Sequence, residues 1–518
     1  MPSSAALLGI DLGTSAVKVA AHTVDGRELA TETRAYGLQT PRPGWVEQDA
    51  EEVYSATMQA LREVLDGIKS QGAEPAAIGF SAAMHGVLAV DERGEPISPL
   101  ITWMDRRSSD VAEGWRRDGT AAALYERTGA PVHPMLPLCK LRWLARNDAA
   151  LYERAARFVG MKELFVHRWT GEWLIDYALG TATGMLDTRT KTWDPQALDL
   201  VELRAERLSS PVPCATRRRI TRPAVARALG LGEGTTVVLA SSDGALANLG
   251  TGAVHPDLMT LTLGTSGAVR VVVEHPLLDR AGRTFCYLFD DSHWLVGGPT
   301  SSAGAVLEKI FELVLPEVPH DERLARAVSL AAAAPVGAEG VTLLPFLSGE
   351  RAPYWRGDLR GALFGLDLAH GRQHILRAAF EGIVFALHGV YAVMRELGIA
   401  PLGIALSGGL MRAPLIRQMV ADIFEVEARL PDRAEASAFG AAMFAGVACG
   451  AIASLDDVAR LVRCPRTYAP RAADRAAYRT ARRRFEARGG GAKAGAGRLK
   501  FLYGRPKIVV RPVGYRSS

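Results

Sequence analysis

The four residues Leu12-Gly13-Thr14-Ser15 return as Leu263-Gly264-Thr265-Ser266 about half a chain later. Each copy follows an apolar run, at 7–10 and 258–261, and leads into another, at 17–21 and 268–273. The pattern predicts strand, tight glycine turn, strand, used twice, so the chain should fold as two lobes built alike. A Gly-Thr-Ser turn directs backbone N–H groups and hydroxyls into a concavity that suits phosphate oxygens. The copies differ at one place. Asp11 precedes the first turn, where Thr262 precedes the second. A carboxylate beside such a turn can hold Mg²⁺, which takes oxygen ligands and keeps several waters. Two phosphate loops, one with a metal ligand at Asp11, imply a nucleotide clamped between duplicated domains.

At 518 residues the chain is too long for one core. Its net charge of +5 is misleading. From Arg471 onward, 14 Lys and Arg stand against 2 Asp and Glu, a surplus of 12, so residues 1–470 carry −7. That is an ordinary acidic enzyme body with a basic end, and no nucleic acid is called for. Five scattered cysteines, never in a C-x-x-C pair, argue against a disulfide framework or zinc site and for a reducing cytoplasm. The start Met-Pro-Ser-Ser carries no basic secretory segment. The uncharged stretch 439–455 is shorter than a membrane span and reads as a tightly packed interior helix.

Residues 7–35 read as a meander with a hairpin turn at Asp25-Gly26, residues 50–69 as an amphipathic helix, and 76–81 as a strand ending at Met84-His85-Gly86. The segment 121–173 is expected to be helical. A buried strand at 236–240 delivers Ser242-Asp243-Gly244, helices are expected at 301–315 and 374–397, and a strand at 404–407 runs into Gly408-Gly409. The domain boundary is placed at 252/253, and 489–518, rich in Gly and Arg, reads as a flexible basic tail. Asp243, projecting from a strand end, could accept the proton of an attacking hydroxyl, or simply cap a helix. Gly408 and Gly409 would let a flat ring approach the backbone, or merely make a turn. Met84, His85, Trp103 and Asp105 offer the mix of polar groups and apolar floor that a polyol needs. No Gly-Lys dipeptide exists, which excludes a P-loop.

In this order, these elements resemble the FGGY carbohydrate kinase family over residues 6–486. Met135-Leu136-Pro137-Leu138-Cys139-Lys140-Leu141-Arg142-Trp143-Leu144-Ala145-Arg146-Asn147 is similar to the family's first signature, and Gly361-Ala362-Leu363-Phe364-Gly365-Leu366 with His374-Ile375 and Ala378-Ala379-Phe380-Glu381 to its second. The resemblance implies an α/β fold of two actin-like (ribonuclease H-like) domains, with ATP and a sugar in the cleft between them and a homodimer as the usual assembly. It implies Asp243 as general base and Asp11 as the metal residue. Gly13, Thr14, Gly264, Thr265, Ser266 and Gly267 would hold phosphate, Gly408 and Gly409 would face adenosine, and Met84, His85, Trp103 and Asp105 would face the sugar. The segments 81–86, 133–135 and 242–250 are most similar to the gluconokinase branch, with the xylulokinases next. A gluconokinase site should offer a cation or strong donors for the substrate carboxylate, and His85, Arg106 and Arg107 are the candidates near the sugar-facing residues. The arginines could instead brace Asp105. An actin-like ATPase without kinase activity shares the duplicated loops but needs no polyol pocket.

Overall fold

The computed structural model describes residues 5–489 apart from positions 233 and 434. The expected tail, beyond Gly489, lies outside the described residues. The first meander forms from β1 (Ala5–Leu12), β2 (Ala16–His22) and β3 (Glu28–Ala35). β1 and β2 run antiparallel, with Asp11 opposite Lys18. Helix α1 (Ala50–Ser70) starts where the Asp49 side chain accepts from the N–H groups of Glu51 and Glu52. Its Val53, Leu61, Val64, Leu65 and Ile68 are buried, the stripe that helical spacing predicts. β4 (Glu74–Ala82) lies parallel to β1 and places Ser81 opposite Asp11. With β5 (Arg217–Arg219) and β6 (Thr236–Val238) the sheet order is β5-β6-β4-β1-β2-β3.

The second sheet contains β7 (Leu258–Leu263), β8 (Gly267–Val273), β9 (Phe285–Leu288), β10 (Trp294–Thr300), β11 (Gly403–Ser407), β12 (Glu427–Leu430) and β13 (Arg466–Tyr468). Its order is β9-β10-β8-β7-β11-β12-β13. Leaving out the extra edge strand β9, order and sense repeat those of the first sheet. An antiparallel meander, β1-β2-β3 or β7-β8-β10, is followed on the other side by parallel strands, β4 and β6 or β11 and β12, and by one antiparallel edge strand. The duplication legible in two tetrapeptides thus extends to the whole sheet.

The segment 121–173 is largely helical as expected, with one departure. Helices form over Thr120–Thr128, α2 (Pro137–Asn147), Ala149–Arg154 and α3 (Met161–Thr170), but Arg157–Val159 is a strand. It pairs antiparallel with Leu88–Val90, so a partner distant in sequence overrides local helical preference. Helix α4 (Asp243–Gly250) begins soon after β6, and α5 (Gly304–Val314) soon after β10.

Helix α6 (Arg372–Glu396) is long and apolar enough by length and composition to cross a bilayer, a feature the sequence reading passed over. It is a core helix: 83% of its most apolar window is buried, and it holds the Arg377–Glu381 ion pair at 2.7 Å inside the lobe.

The uncharged stretch becomes α7 (Ala436–Ala448), which returns from the second lobe to pack on the first. A Cβ on Gly9 of β1 would lie 1.9 Å from the Ala438 carbonyl oxygen, and one on Gly79 of β4 would lie 2.1 Å from that of Ala441. On the other side, a Cβ on Gly440 would lie 2.1 Å from the Leu246 carbonyl oxygen in α4. Only glycine permits backbones to meet at these distances. The helix therefore clamps the β1–β4 pair and α4 together, and these are the elements whose ends carry Asp11, Ser81 and Asp243.

Candidate active site in the interlobe cleft

The first glycine turn closes on itself, Gly13 N–H donating to the Asp11 and Ala16 carbonyls, both at 3.1 Å. The Tyr36 hydroxyl donates to the Gly13 carbonyl at 2.6 Å. Asp11, at the end of β1, accepts a hydrogen bond from Ser81 Oγ at 2.6 Å. Burial nevertheless pushes its carboxyl up to about 6, and the nearby negative charge of Asp243 adds to the rise. These residues from two distant segments thus share one electrostatic environment.

Asp243 opens α4, but the cap belongs to Ser242, whose Oγ accepts from Ala245 N–H at 3.4 Å. Gly244 N–H donates to Asp243 Oδ1 at 2.7 Å. Burial raises the Asp243 pKa, and Arg270 is the main charge opposing that rise. Arg270 is the sole charged residue in the fully buried strand β8. Its guanidinium donates to Thr262 Oγ1 at 2.8 Å and to Asn248 Oδ1 at 3.3 Å. Thr262, the counterpart of Asp11, pairs in turn with Ser407 Oγ at 2.8 Å. Where the first lobe ends its central strand in a carboxylate, the second ends it in a neutral hydroxyl network anchored by a cation.

The second glycine turn sits against the start of α5: Gly304 N–H donates to the Gly264 carbonyl at 3.0 Å and Ala305 N–H to that of Thr265 at 3.1 Å. Gly267, the first residue of β8, follows the turn directly. The two glycines after β11 differ. Gly408 has φ +96°, and a Cβ there would lie 2.3 Å from the Leu263 carbonyl oxygen, so its missing side chain serves the β7 backbone. Gly409 faces open space.

A cavity of about 420 Å³ opens between the lobes, lined by Trp103, Asp105 and His133 from one side and by Thr265, Ser266 and Arg351 from the other. Trp103 Nε1 donates to Thr14 Oγ1 at 2.9 Å, joining the predicted polyol wall to the first glycine turn. The Arg351 guanidinium lies 4.7 Å from the centre of the Trp103 ring. Asp105 is fully engaged: it accepts from Val46 N–H at 2.8 Å, from Arg107 N–H and Nε at 2.9 Å, and from Arg107 Nη2 at 2.8 Å. Arg107, buried against Asp105 and Glu47, is therefore a brace. Arg106 reaches across to the Gly357 carbonyl at 3.2 Å and to that of Ser348 at 3.4 Å.

Met84 and His85 stand off the cavity lining. The Met84 methyl lies 3.5 Å from where a Gly244 side chain would be, next to Asp243. His85 takes φ +70°, and its Nδ1 lies 2.7 Å from the Ala182 carbonyl, so that nitrogen carries the proton. Burial drops its pKa to about 3, which leaves the ring neutral and removes it as a cation.

Comparison with known proteins finds matches along most of the chain. Residues 6–250 match the N-terminal domain and residues 259–449 the C-terminal domain of the FGGY family of carbohydrate kinases. The chain belongs to the FGGY family. It is an ATP-dependent carbohydrate kinase. Gluconokinase from Bacillus subtilis is 35% identical over 92% of this kinase and 93% of its own length, and that from Bacillus licheniformis 34% over 91% and 93%. Xylulose kinase from Bacillus subtilis is 29% identical over 92% and 94%. Among solved structures, gluconate kinase from Lactobacillus acidophilus superposes with a TM-score of 0.87 at 28% identity, covering 93% of this kinase and 96% of that chain. Ligand-bound xylulose kinase from the same organism superposes at 0.89 and 28%, covering 95% and 99%.

Two site features of this FGGY kinase escaped the sequence reading. A lone arginine in an otherwise apolar strand was a readable signal for Arg270. Arg351 carried no such signal: it follows Glu350 in a loop, and only the fold brings it to Trp103. Glu350 itself is committed elsewhere, accepting from Ser302 Oγ at 2.5 Å and from Arg351 N–H at 2.8 Å.

Proposed function

We propose that this kinase transfers the γ-phosphoryl group of ATP to an open-chain sugar acid, D-gluconate, giving 6-phospho-D-gluconate and ADP. The observation that carries this reading is the 34–35% identity to two gluconokinases over nearly the full chain, against 29% for the xylulose kinase of the same Bacillus subtilis. Asp243 is the general base: the 6-hydroxyl loses its proton to this carboxylate as oxygen bonds to phosphorus and ADP departs. The Ser242 cap, which frees Asp243 from that duty, supports the role. Gly13, Thr14, Gly264, Thr265, Ser266 and Gly267 receive phosphate oxygens, and Gly408-Gly409 faces adenosine through the open side of Gly409. Trp103 and Asp105 line the sugar side, with Asp105 acting as the fixed end of the wall, and the Met84-His85 turn backs it, Met84 lying beside Asp243. The domains divide at 252/253.

Among the described residues, no group of three or more His, Cys, Asp and Glu side chains could cage a metal ion. The site does offer one buried carboxylate, Asp11, with a second negative charge close by. That donor set fits Mg²⁺, which is bound through one or two carboxylates together with phosphate oxygens and water. Asp11 would hold the ion, and the ion would neutralise charge on the phosphates. Asp11 and Ser81 keep a negative group ready at the end of β1.

The closeness of the xylulose kinase structures favours xylulose as the second reading. Coupled ADP release with D-gluconate and D-xylulose decides between them. Gluconate is expected to give the higher kcat/KM, and a clear preference for xylulose overturns the sugar-acid assignment.

A further inference from the structure

Helix α2, which carries the stretch similar to the family's first signature, supplies no group to the chemistry above. Its Lys140 is nevertheless fully buried, and the ammonium donates to two carbonyls, that of His85 at 2.6 Å and that of Ile101 at 3.3 Å. Among the described residues no carboxylate lies within ion-pair distance of it. Burial pulls its pKa down to about 7, with Asp105 the main charge resisting the fall. A buried ammonium facing only carbonyls is a poor way to gain stability, because apolar side chains of similar volume usually hold a core as well or better. Its value has to lie in geometry.

The two carbonyls terminate different segments. His85 is the left-handed residue of the Met84-His85 turn, and Ile101 ends the short strand before Thr102-Trp103. Three residues along α2, Trp143 packs edge-on against Trp45 at 5.3 Å, and the Trp45 face carries the Arg107 guanidinium at 3.7 Å. Arg107 in turn holds Asp105. One helix therefore reaches the His85 turn, the strand end at Ile101 and, through Trp45, the arginine that holds Asp105.

We propose that Lys140 is a positioning residue for sugar binding, its ammonium tying the His85 and Ile101 carbonyls together and so fixing the Met84-His85 turn against Trp103. The inference rests on the reading that Trp103 and Asp105 face the sugar and that the Met84-His85 turn backs them. Without the ammonium, the His85 carbonyl has no other donor among the described residues. A buried acceptor left unpaired drives its backbone to relax. The φ of +70° at His85 is a conformation few side-chain-bearing residues hold unaided.

The test is steady-state kinetics and calorimetric ATP binding for K140M, which keeps the length and loses the donor, and K140Q, which keeps a neutral donor. K140M is expected to raise KM for D-gluconate about tenfold or more while leaving KM and Kd for ATP within about twofold of wild type, with K140Q in between. A gluconate KM within about twofold of wild type in K140M overturns the proposal. So does a parallel loss for sugar and ATP with a lowered Tm in both variants, which would make Lys140 a scaffold residue. Should K140M fail to fold, the same split in K140Q decides. If the wild-type enzyme prefers xylulose, the gluconate reading falls, while the same split measured on xylulose still decides the Lys140 inference.

Discussion

Ser81 Oγ donates to Asp11 Oδ1 at 2.6 Å across the parallel pair β1–β4, where the two residues stand opposite in register. One oxygen of the carboxylate is thereby fixed, in surroundings that lift its pKa to about 6. D11A is expected to weaken Mg²⁺-dependent turnover far more than sugar binding, because only the first glycine turn carries a carboxylate. Rate titrations against Mg²⁺, with gluconate affinity measured separately, check this. An unchanged Mg²⁺ requirement would remove Asp11 from the metal role.

Replacing Asp243 by Asn keeps the start of α4 intact, since Ser242 provides the cap. D243N is expected to lower kcat by about 10²–10⁴, the usual range for a lost general base, with ATP affinity little changed. Single-turnover kinetics on the purified variant measure it, and activity within a few-fold of wild type would show that another group takes the proton.

Glu163 accepts from Gly160 N–H at 2.6 Å at the start of α3, yet burial raises its pKa to about 7. A carboxyl raised from an unfolded value of 4.5 contributes stability that is full below pH 4.5 and is lost as pH rises through 7. E163Q mimics the protonated form and does not titrate. Its Tm relative to wild type is therefore expected to climb between pH 5 and about pH 8, approaching roughly 3 kcal/mol in stability at the upper end. A Tm difference independent of pH in scanning calorimetry would refute the assignment.

The close approach of α7 to β4 leaves no room at Gly79, where a methyl would lie 2.1 Å from the Ala441 carbonyl oxygen. G79A is expected to destabilise the protein by at least about 1–3 kcal/mol, the usual cost of overpacking a core. It should also depress activity, because the displaced strand carries Ser81, the partner of Asp11. Chemical denaturation together with kcat tests both effects, and a stable, fully active G79A would mean that α7 can shift without disturbing the site.

The duplicated turns, the two central meanders and α1 were legible because their signals are local: apolar runs, a glycine turn, helical spacing of apolar residues. The asymmetry between Asp11 and Thr262 was legible for the same reason. Arg157–Val159 was misread as helix because its strand partner lies about seventy residues earlier; α6 was expected as a helix, but that it is a buried core element of membrane-compatible length only the fold shows. Asp105 and Arg107 could be placed near Trp103 by their neighbours in sequence, but the choice between Arg107 as a free cation and as a brace for Asp105 could not be made. That depends on Glu47 and Val46 arriving from another segment. The sequence by itself determined the two-lobed architecture, the two glycine turns and the placement of Asp11 and Asp243 after their strands, since each follows from short-range periodicity and side-chain chemistry. The tertiary structure alone decided that Ser242 rather than Asp243 caps α4, that Arg270 faces Asp243, that Arg351 meets Trp103, and that Lys140 ties two carbonyls. These are contacts between segments far apart in the chain, where burial raises the cost of an unpaired charge or carbonyl and no local pattern records the partner that satisfies it.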